Sequence, residues 1–174
     1  MAEDSIYHSF TEKLEPFFNI VKKIIYLFAF ISGAAVFVMI GITVADVTLR
    51  IFGFGITGAY DVVRIAGAVA ISFALPYVTA VKGHIAIEFF YHSFSKTGRV
   101  ILDSSFRIVT IVLLVLLVQR NFLYFLSLRA SGQVMPTLGV PVFWIPLLIG
   151  LSFILVCITV FYHLLHPGKE MIKP

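Results

Sequence analysis

Charge is scarce in this chain. Asp, Glu, Lys and Arg make up 13% of its 174 residues, about half the share typical of a soluble domain. Apolar residues account for 60%, so the deficit points to lipid rather than to disorder, which requires few apolar side chains. Cysteine is almost absent as well. Cys157, alone inside an apolar run, allows neither a disulfide nor a thiolate metal site within one chain. No HExxH, GxSxG, Walker or CxxC motif occurs and no nucleophile has a sequence-local base, so the chain is not expected to be an enzyme. The net charge of +4 is not gathered into a basic cluster interleaved with aromatics, so nucleic acid is not an expected partner.

What the sequence has instead is long apolar runs. A helix needs about 20 mostly apolar residues to cross about 30 Å of hydrocarbon. Four segments qualify, at about 24–45, 60–81, 101–122 and 140–162. The first and last carry no charge, and the second is charged only in its first turn. Runs this continuous are not barrel strands, which alternate over about ten residues. The expected fold is an all-α integral membrane protein with four transmembrane helices. The third span has two possible ends: Gln119, Arg120 and Asn121 interrupt it, yet FLYFLSL follows, so it stops near Arg120 or continues to about Leu128. Pro76 should kink the second span, and Pro141 suits the start of the fourth.

Residues 1–23 form the expected N-terminal segment, 24–162 the membrane domain and 163–174 a tail. The start is too long and too acidic for a signal-peptide n-region, so an uncleaved anchor is expected. Ile6, Phe10, Leu14, Phe17, Val21 and Ile24 recur at helical spacing. This stripe is either an amphipathic helix in the membrane interface or a cap on the protein's own bundle, with Pro16 dividing it in two. Lys13, Lys22, Lys23, Lys82, Lys96, Arg99, Lys169 and Lys173 fall on one side of the membrane, against Arg50, Arg64, Arg120 and Arg129 on the other. The excess places both termini in the cytoplasm.

The segment VADVTLRIFGFGITGAYDVVR, Val44 to Arg64, sets four charges at the opposite membrane edge. Asp46 and Arg50 are four apart and Asp61 and Arg64 three apart, so each pair shares a helix face. Pairing across the Gly-rich hairpin, Asp46 with Arg64 and Arg50 with Asp61, is equally open. An ion-paired lock between two helix ends is preferred to a transport path, because a path would want charge at mid-depth, and contact of Asp46, Arg50, Asp61 and Arg64 with a partner is the second expected role. Arg120, Arg129, Ser131 and Gln133 are placed in the second loop on that side, as candidates for contact with a partner. At the cytoplasmic edge Lys82, His84 and Glu88, with Asp103 and Arg107 at the start of the third span, are read as structural. Haem ligation would need two histidines facing across the bundle. His84 and His163 keep a haem-carrying membrane anchor of a respiratory oxidoreductase open as the alternative, and otherwise no cofactor is expected. A free-standing exporter or channel would carry mid-membrane polar residues that the runs lack.

The order DVTLR, GITGAYDVVR, VTAVKGHIAIEFF and MPTLGVPVFWIPLLIGLSF resembles the small membrane (Q) subunit of tripartite ATP-independent periplasmic (TRAP) transporters. Arg50 follows the first span, Gly58-Ala59 and Asp61 open the second, and Gly83-His84-Ile85 close it. The family usually has Glu where this chain has Asp61. The resemblance implies a sodium-driven importer of organic acids assembled from three proteins in the bacterial inner membrane. A periplasmic substrate-binding protein delivers the acid, a large membrane subunit carries it, and the small subunit is a scaffold beside the large one. With no evident internal repeat and no mid-span charge, the chain is expected to hold neither substrate nor sodium by itself. Gly33, Ala34, Ala35 and Gly41, with Ala66, Gly67, Ala68 and Ala70, would permit close helix approach.

Overall fold

The computed structural model describes residues 2–81, 96–165 and 171–172, with side chains from 15 onward and, in the third helix, from 105 onward. Four helices order it: α1 (Ala2–Ile51), α2 (Ala59–Ala80), α3 (Lys96–Ser131) and α4 (Trp144–Leu165). Each contains a stretch long and apolar enough to cross a membrane, and no strand forms among the described residues. Lipid offers backbone groups no partners, so helices satisfy them internally.

The helices stand in a row rather than a square. α1 packs on α2, α2 on α4 and α4 on α3, while α1 meets α4 only lightly, through contacts such as Phe18 against Tyr162 at 4.8 Å between ring centres. One cluster joins Phe18, Val21, Ile25 and Phe28 of α1 to Phe73 and Ala80 of α2, Leu155 of α4 and the tail residues Met171 and Ile172. Phe28 stacks on Phe73 at 4.0 Å. A second, smaller cluster joins Leu114 of α3 to Val156 and Val160 of α4. Burial therefore runs along one face of each outer helix, and the other faces stay open.

Several boundaries differ from the sequence reading. α1 is unbroken at Pro16. Proline removes one hydrogen bond from the ladder, and the packed turns that follow, Phe18, Val21 and Ile25, hold the chain helical. The buried stripe is also rotated from the expected one: Phe18 is 3% exposed and Phe17 48%. α3 passes through Gln119, Arg120 and Asn121 to Ser131, and the Asn121 side chain donates to the Leu117 carbonyl at 3.0 Å. α4 begins at Trp144 rather than at Pro141. Pro141 instead pairs with Val134 in a short antiparallel bridge, and Pro146 lies in the first helical turn, where no N–H is needed.

The centre of the row is fastened by hydroxyls. Pro76 lies inside α2 and has no N–H to give the Ser72 carbonyl one turn earlier. The Ser152 hydroxyl of α4 donates to that carbonyl, with Ser152 fully buried. An unsatisfied carbonyl in hydrocarbon costs several kcal/mol, so Ser152 both completes α2 and ties it to α4. On the other side of α2, Ser32 of α1 donates to the Ala70 carbonyl at 2.7 Å. Of the small residues, Ala66 and Ala70 are buried and Gly67 lies under Met39. Gly33 and Gly41 face open space.

Candidate functional site

Two loops meet at the end of the row where α1 passes to α2 and α3 to α4. α1 stops because Gly53 takes the left-handed conformation, φ 85°. Phe54 N–H then donates to the Leu49 carbonyl at 3.0 Å and Gly53 N–H to the Arg50 carbonyl at 3.1 Å, a Schellman ending that satisfies the last carbonyls. Asp46, two turns before that ending, holds the loop that follows. Its Oδ2 accepts from Arg50 Nε at 2.8 Å and its Oδ1 from the Ile56 N–H at 2.8 Å. The expected Asp46–Arg50 pair is therefore present, and it carries a loop anchor with it.

Asp61 does something else. Its carboxylate is 1% exposed and Oδ2 accepts two backbone N–H bonds, from Thr137 at 2.9 Å and Leu138 at 3.1 Å. Arg64, the expected partner, is exposed. Asp61 sits in the first turn of α2, where its carboxylate reaches the second loop, and two backbone N–H groups there supply charge-assisted hydrogen bonds in place of the guanidinium. Oδ1 receives no hydrogen bond among the described residues. The second loop is a tight hairpin, with Val142 N–H to the Gln133 carbonyl at 3.0 Å and Met135 N–H to the Val140 carbonyl at 2.8 Å. Its tip tucks Met135 into the protein, 1% exposed, and lays Leu138 over Gly58. A Cβ on Gly58 would stand 2.7 Å from Leu138 Cδ2, and Gly58 has φ 92°. The left-handed backbone is what calls for glycine there, since the tip of Leu138 can swing aside from a Cβ.

The other candidate residues separate. Arg50, Arg64, Arg129, Ser131 and Gln133 are exposed at this end, and Ser131 Oγ donates to the Leu128 carbonyl at 3.1 Å. Arg120 is not in the loop: it lies within α3. At the opposite end, the Arg107 guanidinium donates to the His163 carbonyl. Lys82, His84 and Glu88 lie outside the described residues, as does the Asp103 side chain. The haem alternative's pair cannot be assembled from described residues, since His84 is not among them. No group of three His, Cys, Asp or Glu that could hold a metal occurs among the described residues.

The family model for tripartite ATP-independent periplasmic transporters, DctQ component, matches residues 39–168. The chain belongs to the DctQ family. No individual curated protein and no solved structure matches. The family consists of transporter components rather than enzymes. Within this DctQ chain two of the four segments that carry the resemblance, GITGAYDVVR and MPTLGVPVFWIPLLIGLSF, touch each other: Gly58 lies under Leu138, and Asp61 accepts from the amides of Thr137 and Leu138. Gly58, Asp61 and Leu138 together lock the second loop to the start of α2. Sequence reasoning missed Ser72, Ser152 and Leu138. The first had a signal, a carbonyl four residues before an internal proline. The other two had none, because their partners are about 80 residues away in sequence.

Proposed function

We infer that this small TRAP subunit is a static scaffold in a sodium-driven importer of organic acids, working with a large membrane subunit and a periplasmic substrate-binding protein. The family match carries the reading. The use of buried hydroxyls supports the scaffold role. Ser32 and Ser152 donate to carbonyls of the neighbouring helix, and Ser72, Thr79 and Thr159 to carbonyls one turn back in their own helix, so these hydroxyls are engaged within the bundle and are not held ready for a solute or an ion. Transport sites in secondary transporters use broken helices with exposed backbone at mid-depth. Here the proline break in α2 is closed by Ser152.

The excess of Lys and Arg at the terminal end supports cytoplasmic termini in the bacterial inner membrane. The locked loops then face the periplasm. Asp46 and Asp61 are spent inside, which leaves Arg50, Arg64 and Arg129, with Ser131 and Gln133, as the polar groups offered to the binding protein. The burial of Phe18 and Val21 against α4 and the tail supports the 15–23 part of α1 as a cap on the protein's own bundle rather than a helix lying in the interface. No observation favours the haem-carrying anchor.

The test is uptake into proteoliposomes under an inward sodium gradient, with this chain, the large membrane subunit and the binding protein each omitted in turn. Uptake that requires all three supports the reading. Undiminished uptake without this chain overturns it, and uptake by this chain alone overturns the scaffold role.

A further inference from the structure

α3 is the least covered of the four helices, and it carries the most costly exposed residue. Its membrane-spanning stretch, Ser105–Ser131, has 6% of its most apolar window buried, against 33% for α2 and α4. Leu113, Leu116, Leu123 and Tyr124 are exposed along one face, and Gln119 and Arg120 are exposed among them. Residues 116, 120 and 123 follow the four-then-three spacing of a single stripe.

The depth of Arg120 follows from its neighbours. Trp144 and His163 lie about 29 Å apart along α4 at 1.5 Å per residue, which matches the about 30 Å of hydrocarbon. Arg107 of α3 meets the His163 carbonyl, which sets the lower edge of α3. Asn121 meets α4 at Gly150, where an added Cβ would lie 3.7 Å from the Asn121 Cβ. Gly150 sits about 9 Å inside Trp144. Arg120 is therefore about 20 Å above Arg107 and about 14 Å short of Arg129, well inside the apolar layer. Escape upward is hindered, because Cα–Cβ bonds tilt toward the helix N-terminus and α3 enters from the Arg107 end. Arg120 has no hydrogen bond or ion pair among the described residues. A cation at this depth needs a partner in the membrane, and a soluble binding protein cannot reach it.

We propose that the Leu116–Arg120–Leu123 face of α3 is the surface on which the large membrane subunit docks, with a carboxylate of that subunit paired to the Arg120 guanidinium inside the membrane. The apolar neighbours supply the close-packed rim and Gln119 a further hydrogen bond. The α1 face around Phe30, Phe37 and Gly41 is also exposed, but it holds no charge and lipid satisfies it. The proposal rests on the reading of the chain as a subunit beside a larger one.

The experiment places p-benzoylphenylalanine at Leu116, at Leu123 and, for comparison, at Phe37, in full-length chain co-expressed with its large subunit, and irradiates native membranes. Crosslinks to the large subunit from Leu116 and Leu123 but not from Phe37 are expected. In parallel, Arg120→Leu should lower co-purification of the large subunit at least tenfold while the chain's own level in the membrane holds. A lipid-facing Arg120 would instead leave co-purification unchanged, which overturns the proposal. Crosslinks only from Phe37, or from α3 to a second copy of this chain, overturn it while the two-subunit reading stands. An unaltered chain that never co-purifies with the large subunit overturns that reading too. If Arg120→Leu fails to accumulate, the crosslinks decide, since they keep Arg120.

Discussion

Replacing Asp61 by Asn tests the lock between the loops in its most specific form. The side chain keeps its size, so any effect is chemical. Oδ2 of Asp61 accepts from two amides, Thr137 and Leu138. A hydrogen bond to a charged acceptor nets about 1.5–3 kcal/mol and one to a neutral acceptor about 0.5–1.5. Both bonds weaken in the variant, and the new NH2 group falls where Oδ1 already lacks a partner. The two effects together amount to about 2 kcal/mol, or roughly thirty-fold in the opening equilibrium of the second loop. Amide exchange of the chain in lipid nanodiscs reads this directly, because local opening governs exchange at a loop. Thr137 and Leu138 should exchange roughly thirty-fold faster, while Ile56, held by Asp46, should not change. Asp46→Asn should produce the reverse pattern. Equal acceleration at both loops would mean general loosening, and unchanged exchange at Thr137 and Leu138 would refute the lock.

Gly58→Ala should destabilise the same end by about 1–3 kcal/mol through its left-handed backbone, seen as faster exchange at Leu138, whose side chain can swing aside. Ser152→Ala should cost about 1–2 kcal/mol in denaturant unfolding from detergent, because it strips the donor from the Ser72 carbonyl. Pro76→Ala returns an N–H to that carbonyl, so Ser152→Ala should cost about 1 kcal/mol less in the Pro76→Ala background. Equal cost in both backgrounds would show that Ser152 acts by packing alone.

The helical class and the existence of four spans were legible from period and length, because lipid leaves a long uncharged run little choice but a helix. The Asp46–Arg50 pair was legible for a similar reason: a four-residue spacing on one helix is local geometry. Asp61 shows the limit. A three-residue spacing to Arg64 looked the same on paper, yet the carboxylate serves amides of a loop on another hairpin. Arg120 shows another. Gln119, Arg120 and Asn121 leave the end of the third span open in the sequence, and only the continuation of α3 to Ser131 places Arg120 within the membrane-spanning helix.

By itself, then, the amino-acid order determined what depends on residues a few positions apart: spans, the ending of α1 at Gly53, the carbonyl orphaned by Pro76, and the motifs that mark the family. Tertiary structure alone decided who answers those local demands. It set the row order α1–α2–α4–α3, brought Ser152 to the Ser72 carbonyl and Leu138 to Gly58, and left α3 open on one side. The reason is physical: in an apolar layer every polar group must find a partner, but which distant group supplies it depends on how the helices pack.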